Sequence, residues 1–223
     1  IIDSAFTLSK NPIYDNLIHS SKEAVYEVIN TIGVDTTISD IGELVEEIVT
    51  SYEIDRKGIF YPVKPISNIC GHSIKPWNIH AGKYIQNIRN DDKTRIEDND
   101  VVAIEVYTTD GVGKTYMGKD ISHFMLNTNI PENYRYNLSL RTEEHLDLIH
   151  KHFRTLPFTQ KYVDKISPIK YYDSCINELY SKGLVKKYPP LIEYDKHSKI
   201  AQFEHTIFIS EKNNINLSMG DDY

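Results

Sequence analysis

Three carboxylates interrupt the most apolar stretches of this 223-residue chain, and they constrain its fold more than any other feature. Asp3 lies within Ile1-Ile2-Asp3-Ser4-Ala5-Phe6, and Glu105 within Val101-Val102-Ala103-Ile104-Glu105-Val106-Tyr107. Glu204 lies within Ile200-Ala201-Gln202-Phe203-Glu204-His205-Thr206-Ile207-Phe208-Ile209. Each stretch reads as a strand that is largely buried. Taking an ionised carboxylate out of water costs several kcal/mol unless a positive partner offsets it. None of the three stretches contains Lys or Arg. Either cationic side chains arrive from elsewhere in the fold, or a metal ion sits among the carboxylates.

Histidines supply a second set of donors. His72 falls in Gly71-His72-Ser73, His80 follows eight residues later, His123 sits in a short apolar run and His205 directly follows Glu204. Carboxylates with a few imidazoles suit a hard-to-borderline divalent ion such as Mn, Co, Fe or Zn. Carboxylate-rich ligation is also typical of two-metal sites that share bridging oxygens. The bland reading competes: a lone Glu in a strand is most often solvent-facing, and a lone His is more often hydrogen-bonded than metal-bound. Neither His-Glu-x-x-His nor a Cys-x-x-Cys pair occurs. Nucleophile elbows, phosphate-binding glycine loops and dinucleotide fingerprints are absent as well. Cys70 beside His72 is a weak thiol signal, better read as a small buried residue.

The remaining sequence describes an ordinary globular protein, 40% hydrophobic and 26% charged. A formal net charge of −7 argues against nucleic-acid binding as the main task. Two cysteines, Cys70 and Cys175, are too few for a disulfide scaffold and fit a reducing, cytoplasmic setting. No apolar run is long enough for a membrane span, and no signal-peptide pattern opens the chain. Helices are expected from about Asp15 to Ile32 and from Ser39 or Asp40 onward, the second with Asp40 and Glu43 as a capping box. Ile1–Leu8, Ile59–Val63, Val101–Tyr107, Ser122–Leu126 and Ile200–Ser210 read as strands. Two further helices are expected near Thr142–Phe153 and Pro168–Ser181.

Several segments together resemble the type 2 methionine aminopeptidases. They are Gly71-His72-Ser73-Ile74, Ile79-His80-Ala81-Gly82-Lys83, Ala103-Ile104-Glu105, Ser122-His123-Phe124-Met125, Tyr188-Pro189-Pro190-Leu191, Ala201-Gln202-Phe203-Glu204-His205-Thr206 and the terminal Gly220-Asp221-Asp222-Tyr223. The segment around Asp3 fits the same pattern, and order and spacing agree along the chain. The resemblance implies an α/β (α+β) pita-bread fold, incomplete at its N-terminus. It divides the chain into part of the catalytic domain over 1–130, a helical insertion over 131–190 and a return to the catalytic domain over 191–223. It implies two divalent metal ions (Co, Mn, Fe or Zn) and removal of the initiator Met from nascent polypeptides. Asp3, His72, Glu105 and Glu204 take the ligand positions, with Asp3 and Glu204 bridging. His80 and His123 are implied as catalytic and substrate-positioning groups, and Ile79 and Tyr188 as pocket walls. A monomer that associates with the ribosome and binds neither membrane nor DNA is the corresponding expectation.

One departure is expected to matter. The family has a further metal-binding Asp eleven residues before the position of Asp3 and a pocket His further upstream. The chain opens on Ile1, without Met and inside a strand, which reads as a piece of a longer protein; a product truly ending there would have impaired metal affinity and turnover. The alternatives are a catalytically inactive pita-bread homologue that binds RNA or protein and, less fittingly, a proline-specific dipeptidase.

Overall fold

A computed structural model describes residues 1–127, 138–167 and 170–221. In chain order the strands are β1 (Ala5–Phe6), β2 (Glu53–Arg56), β3 (Ile59–Pro62), β4 (Lys64–Pro65), β5 (Cys70–Ile74), β6 (Tyr84–Gln86) and β7 (Asp100–Thr109). They continue with β8 (Thr115–Met117), β9 (His123–Leu126), β10 (Phe158–Thr159), β11 (Val185–Tyr188), β12 (Leu191–Glu193), β13 (Ile200–Ile209) and β14 (Asn214–Asn216). The helices are α1 (Asp15–Thr31), α2 (Ile38–Thr50), α3 (Leu140–His152), α4 (Gln160–Ile166) and α5 (Tyr172–Ser181). The chain forms two compact units, one joining Ile1–Tyr116 to the segment from Glu193 onward, the other spanning Met117–Ile192. The expected change of character at residue 130–131 lies outside the described residues.

The first unit is built on an antiparallel sheet in the order β1-β13-β7-β5-β6, with β14 added to β13 and β4 to β7. Its two ten-residue strands, β7 and β13, pair along their whole length. Side chains alternate across a strand, so each of these strands serves two faces. Val102, Ile104 and Val106 of β7 share one face with Phe203 and Ile207 of β13. That face is buried with Leu17, Ala24, Val25 and Val28 of α1 and with Ile38, Ile41, Val45 and Val49 of α2. Small residues let α1 lie close to the sheet: the buried Ser20 and Ser21 hydroxyls return to their own helix carbonyls, and Thr108 Oγ1 donates to the Leu17 carbonyl at 2.9 Å.

Helix α2 begins at Ile38, one or two residues earlier than the sequence suggests. Thr37 is its N-cap, with Oγ1 accepting from Asp40 N at 3.2 Å. Asp40 returns the favour, and its hydrogen bonds to Thr37 hold its carboxyl below the usual range. The capping box is therefore Thr37 with Asp40, while the expected partner Glu43 pairs with Arg89 at 2.7 Å. Gly42 allows α2 to meet the chain leading out of β6, because a Cβ there would run into the Ile88 carbonyl oxygen.

Two further expectations change in extent. Only Ala5–Phe6 of the expected opening strand joins the ladder, since it forms the sheet's outer edge and has one neighbour, β13. Cys70–Ile74, read only as a Gly/His-rich segment, is a strand between β7 and β6.

The second unit contains a three-stranded antiparallel sheet, β10-β9-β11, besides its helices. Phe124, Leu146, Ile149, Phe158, Val163, Ile176 and Leu179 form its core. Ser139 caps α3, and Glu178 of α5 accepts from Ser139 N, Ser139 Oγ and Thr142 Oγ1 at 2.6–2.8 Å, tying the two helices together. Helix α4 has seven residues, too few for an apolar stripe to show in the sequence. The expected helix start at Pro168 lies outside the described residues, and α5 runs from Tyr172.

Among the described residues no helix is long and apolar enough to cross a membrane.

Two stability predictions follow from the first unit. Gly42→Ala should lower the urea-unfolding free energy by about 1–3 kcal/mol, because the obstacle is backbone and cannot rotate away. Glu193 supplies the second. Burial pushes its pKa up, but hydrogen bonds outweigh burial and hold the pKa below normal. The donors are Ser198 Oγ at 2.9 Å and the backbone N–H groups of Asp195 at 2.7 Å and Val112 at 2.9 Å. A lowered folded-state pKa stabilises above the unfolded value of about 4.3, and the contribution fades as pH falls through the folded value. Glu193→Gln should therefore cost about 1–3 kcal/mol at pH 7. In parallel urea titrations the gap between the two proteins should narrow toward pH 3.

Candidate metal centre

The sheet face opposite the helices carries the chemistry. Glu105 and Glu204 are directly opposed in the β7–β13 ladder. On the outer side of β13, Ala5 pairs with Glu204, so the alternation places Asp3 on the same face two residues along. Thr206 clamps that end of the chain: Asp3 N donates to Thr206 Oγ1 at 2.8 Å, and Thr206 Oγ1 donates to the Asp3 carbonyl at 2.6 Å. On the other side of β7, His72 of β5 pairs with Ala103, two residues from Glu105 on its face. Three neighbouring strands, β13, β7 and β5, and the segment leading into β1 thus contribute Glu204, Glu105, His72 and Asp3 to one surface. Gly71 lets β5 approach here, because a Cβ would collide with the Ala103 carbonyl oxygen.

The donor atoms converge without satisfying one another. Ligand atoms of Asp3, His72 and Glu204 lie within 4.8 Å of each other. His72 Nε2 is 3.7 Å from Asp3 Oδ2 and 3.9 Å from Glu105 Oε1, beyond hydrogen-bond range. His72 and Glu204 are buried, at 4% and 3% exposure. Among the described residues, none of the three carboxylates has a Lys or Arg partner. Such a group of buried acids facing an imidazole, with no protein cation among them, fits a divalent metal site.

The electrostatics express the same deficit of positive charge. Burial raises the Glu105 pKa to about 7; Asp3 adds to the rise, while hydrogen bonds from Tyr107 and Gln202 oppose it. Burial raises that of Glu204 to about 9, with Glu105 and Asp3 repelling its charge as well. Burial lowers the His72 pKa, nearby His80 pushes the same way and Asp3 opposes. His72 is therefore held as neutral imidazole, the form with a lone pair to give a metal.

Two supporting residues went unassigned from the sequence. Gln202 Nε2 bridges the carboxylates, donating to Glu204 Oε2 at 3.2 Å and Glu105 Oε2 at 3.4 Å. Tyr107 hydrogen-bonds Glu105. Both sit two residues from a carboxylate on the same strand, so period-2 alternation was the signal that could have found them.

His80 joins the cluster: its ring stands edge-on to that of His72, with centroids 4.5 Å apart. The loop carrying Ile79 and His80 is pinned to β5 by Ala81 N donating to the Ser73 carbonyl at 2.8 Å and Lys83 N to Ser73 Oγ at 3.1 Å. Gly82, at φ +110°, makes the turn between those two bonds. His123 and Tyr188 form a separate pair within the second unit, directly opposite across the β9–β11 ladder. There Ser122 Oγ lies 2.9 Å from His123 Nδ1, and Tyr188 OH donates to Met125 Sδ at 3.5 Å. His205, beside Glu204 in sequence, points to the helix side, where its Nδ1 meets Ser218 Oγ at 2.7 Å.

Residues 1–211 match metallopeptidase family M24. Over its full length the chain is 40% identical to methionine aminopeptidase 2 of Podospora anserina, spanning 49% of that protein. It is equally similar to methionine aminopeptidase 2 of Saccharomyces cerevisiae, spanning 52%. The chain thus covers about half the length of these curated relatives. In structure it superposes on a thermophilic Arx1 with a TM-score of 0.69 at 13% identity, covering 98% of this chain and 60% of that one. A methionine aminopeptidase from Thermotoga maritima gives 0.57 at 16% identity, covering 98% and 58%. The pita-bread α/β fold expected from the sequence is the fold observed. With its sequence match running through residues 1–211, which include all four converging donors, this chain belongs to metallopeptidase family M24.

Proposed function

We propose that this protein is a metal-dependent aminopeptidase that removes the initiator methionine from nascent polypeptides. The observation that carries the reading is the convergence of Asp3, His72, Glu105 and Glu204 on one sheet face with no Lys or Arg partner among the described residues. The similarity to methionine aminopeptidase 2 supports the choice of substrate. Asp3, His72, Glu105 and Glu204 would hold the metal. Two divalent ions bound there (Co, Mn, Fe or Zn) supply the acidity that makes a water nucleophilic at neutral pH and the positive charge that polarises the scissile carbonyl.

The chain's own groups do the rest. Gln202 and Tyr107 hold the carboxylates by hydrogen bonds, so that the ligands are oriented before metal or substrate arrives. His80, on the rim beside His72, donates a hydrogen bond to the oxygen that gains charge as the first peptide bond is attacked. Ile79, next to His80, would contact the Met side chain. The protein would work as a monomer in the cytoplasm, on chains emerging from the ribosome. In the competing reading, an inactive homologue that binds RNA or protein, nothing would call for the buried donor set.

The test is release of free Met from a Met-Ala-Ser peptide by protein supplied with Mn(II) or Co(II), alongside its metal content. Metal binding with Met release is expected; metal binding without release favours the inactive homologue, and neither removes the metallopeptidase reading altogether. Glu204→Gln should abolish metal retention and turnover, and Gln202→Leu should weaken metal affinity by about 10–100-fold. In metal-free buffer at pH 7 Glu204→Gln should be more stable than the parent to urea by about 1 kcal/mol or more, since the parent must take up a proton at Glu204 on folding, its pKa being raised to about 9. A loss of stability instead would mean that the carboxylates already have cationic partners.

A further inference from the structure

The hairpin that carries His72 and His80 ends in a turn whose composition runs against its geometry. Lys75 and Asn78 exchange backbone hydrogen bonds at 2.9 Å in each direction, leaving Pro76 and Trp77 as the two central residues. Trp77 adopts φ +59°, the left-handed region. In a Pro-Xaa turn of this kind the second position is ordinarily Gly or Asn, and a bulky side chain there is strained. Trp77 is nonetheless 47% exposed, so its ring contributes only in part to any core. It is also the single tryptophan of the chain. A strained backbone presenting a large aromatic to solvent points to a use for the exposed ring.

The position of the turn says what that use is. From His72 the strand runs three residues to Lys75, roughly 10 Å at strand spacing. The return strand leads from Asn78 directly into Ile79 and His80. An extended peptide advances about 3.3–3.6 Å per residue, so the tip comes level with about the third or fourth residue of a chain whose first residue occupies the metal centre. An aromatic face accepts backbone and side chains of many kinds, which suits substrates that share only their first residue. We propose that Trp77 is a substrate-contacting platform for the part of the peptide beyond its first residues, giving the site a preference for long substrates over dipeptides. This rests on the aminopeptidase reading above.

The test uses Met-Ala analogues in which CH2–NH replaces the first amide, so that nothing is cleaved, in two-residue and six-residue forms. Each is titrated into the Mn(II)-supplied protein by calorimetry, with the fluorescence of the lone tryptophan followed in parallel. The six-residue form should bind about fivefold tighter and alone change the fluorescence. Trp77→Asn, which suits the left-handed turn, should bind both forms equally with an unchanged melting temperature, and Trp77→Phe should restore most of the length preference. A length preference retained in Trp77→Asn, or absent from the parent while the short form still binds, overturns this proposal alone. A sharp fall in the melting temperature of Trp77→Asn overturns it too, by making the ring structural. Failure of both analogues to bind removes the aminopeptidase reading along with it.

Discussion

Glu105 faces Glu204 across the central pair of strands. Like charges directly opposed in a ladder are destabilising, and burial magnifies the effect. The two acids answer by resisting ionisation, with pKa values pushed to about 7 and about 9. A divalent ion is the alternative to those protons. The arrangement persists because the opposite face of the same strands is covered by α1 and α2 and held in register by their packing. One-residue slippage of β13 against β7 would put the acids into that apolar core.

The sheet therefore divides its work by face. Val102, Ile104, Val106, Phe203 and Ile207 hold the fold together. Asp3, Glu204, Glu105 and His72 weaken it locally in exchange for a place to bind positive charge. Hydrogen bonding within the second group is sparse: among the described residues Gln202 and Tyr107 bond the inner carboxylates, and Thr206 fixes Asp3 through its backbone. That is the pattern of a site set up for a ligand the chain does not itself supply. The hairpin loop brings His80 to the same place by a different route, a glycine turn and two bonds to Ser73.

The carboxylates were legible in the sequence because they violate its pattern: an acid amid four to six apolar neighbours demands an explanation wherever it occurs. The long strands and amphipathic helices were legible for the opposite reason, that they obey it. Less visible were features whose signal is short or shared. Thr37, not Asp40, caps α2, since several polar residues in a row can serve and only the start of the helix decides among them. Helix α4 is too brief to show a stripe. Cys70–Ile74 carries a glycine and polar residues, yet becomes strand because β7 and β6 flank it. Gln202 and Tyr107 looked like ordinary polar strand residues until their partners were known.

The chain's own residues, read in order, singled out three carboxylates set among apolar neighbours, the long strands that carry two of them and the family they resemble. Local composition and period settle those matters. They could not determine that Glu204, Glu105 and His72 come from three adjacent strands with Asp3 just ahead of a fourth, nor that Trp77 sits on a left-handed turn. Strand order and register depend on pairings between residues as much as 203 positions apart, such as Asp3 with Thr206. Only the folded sheet brings those into contact.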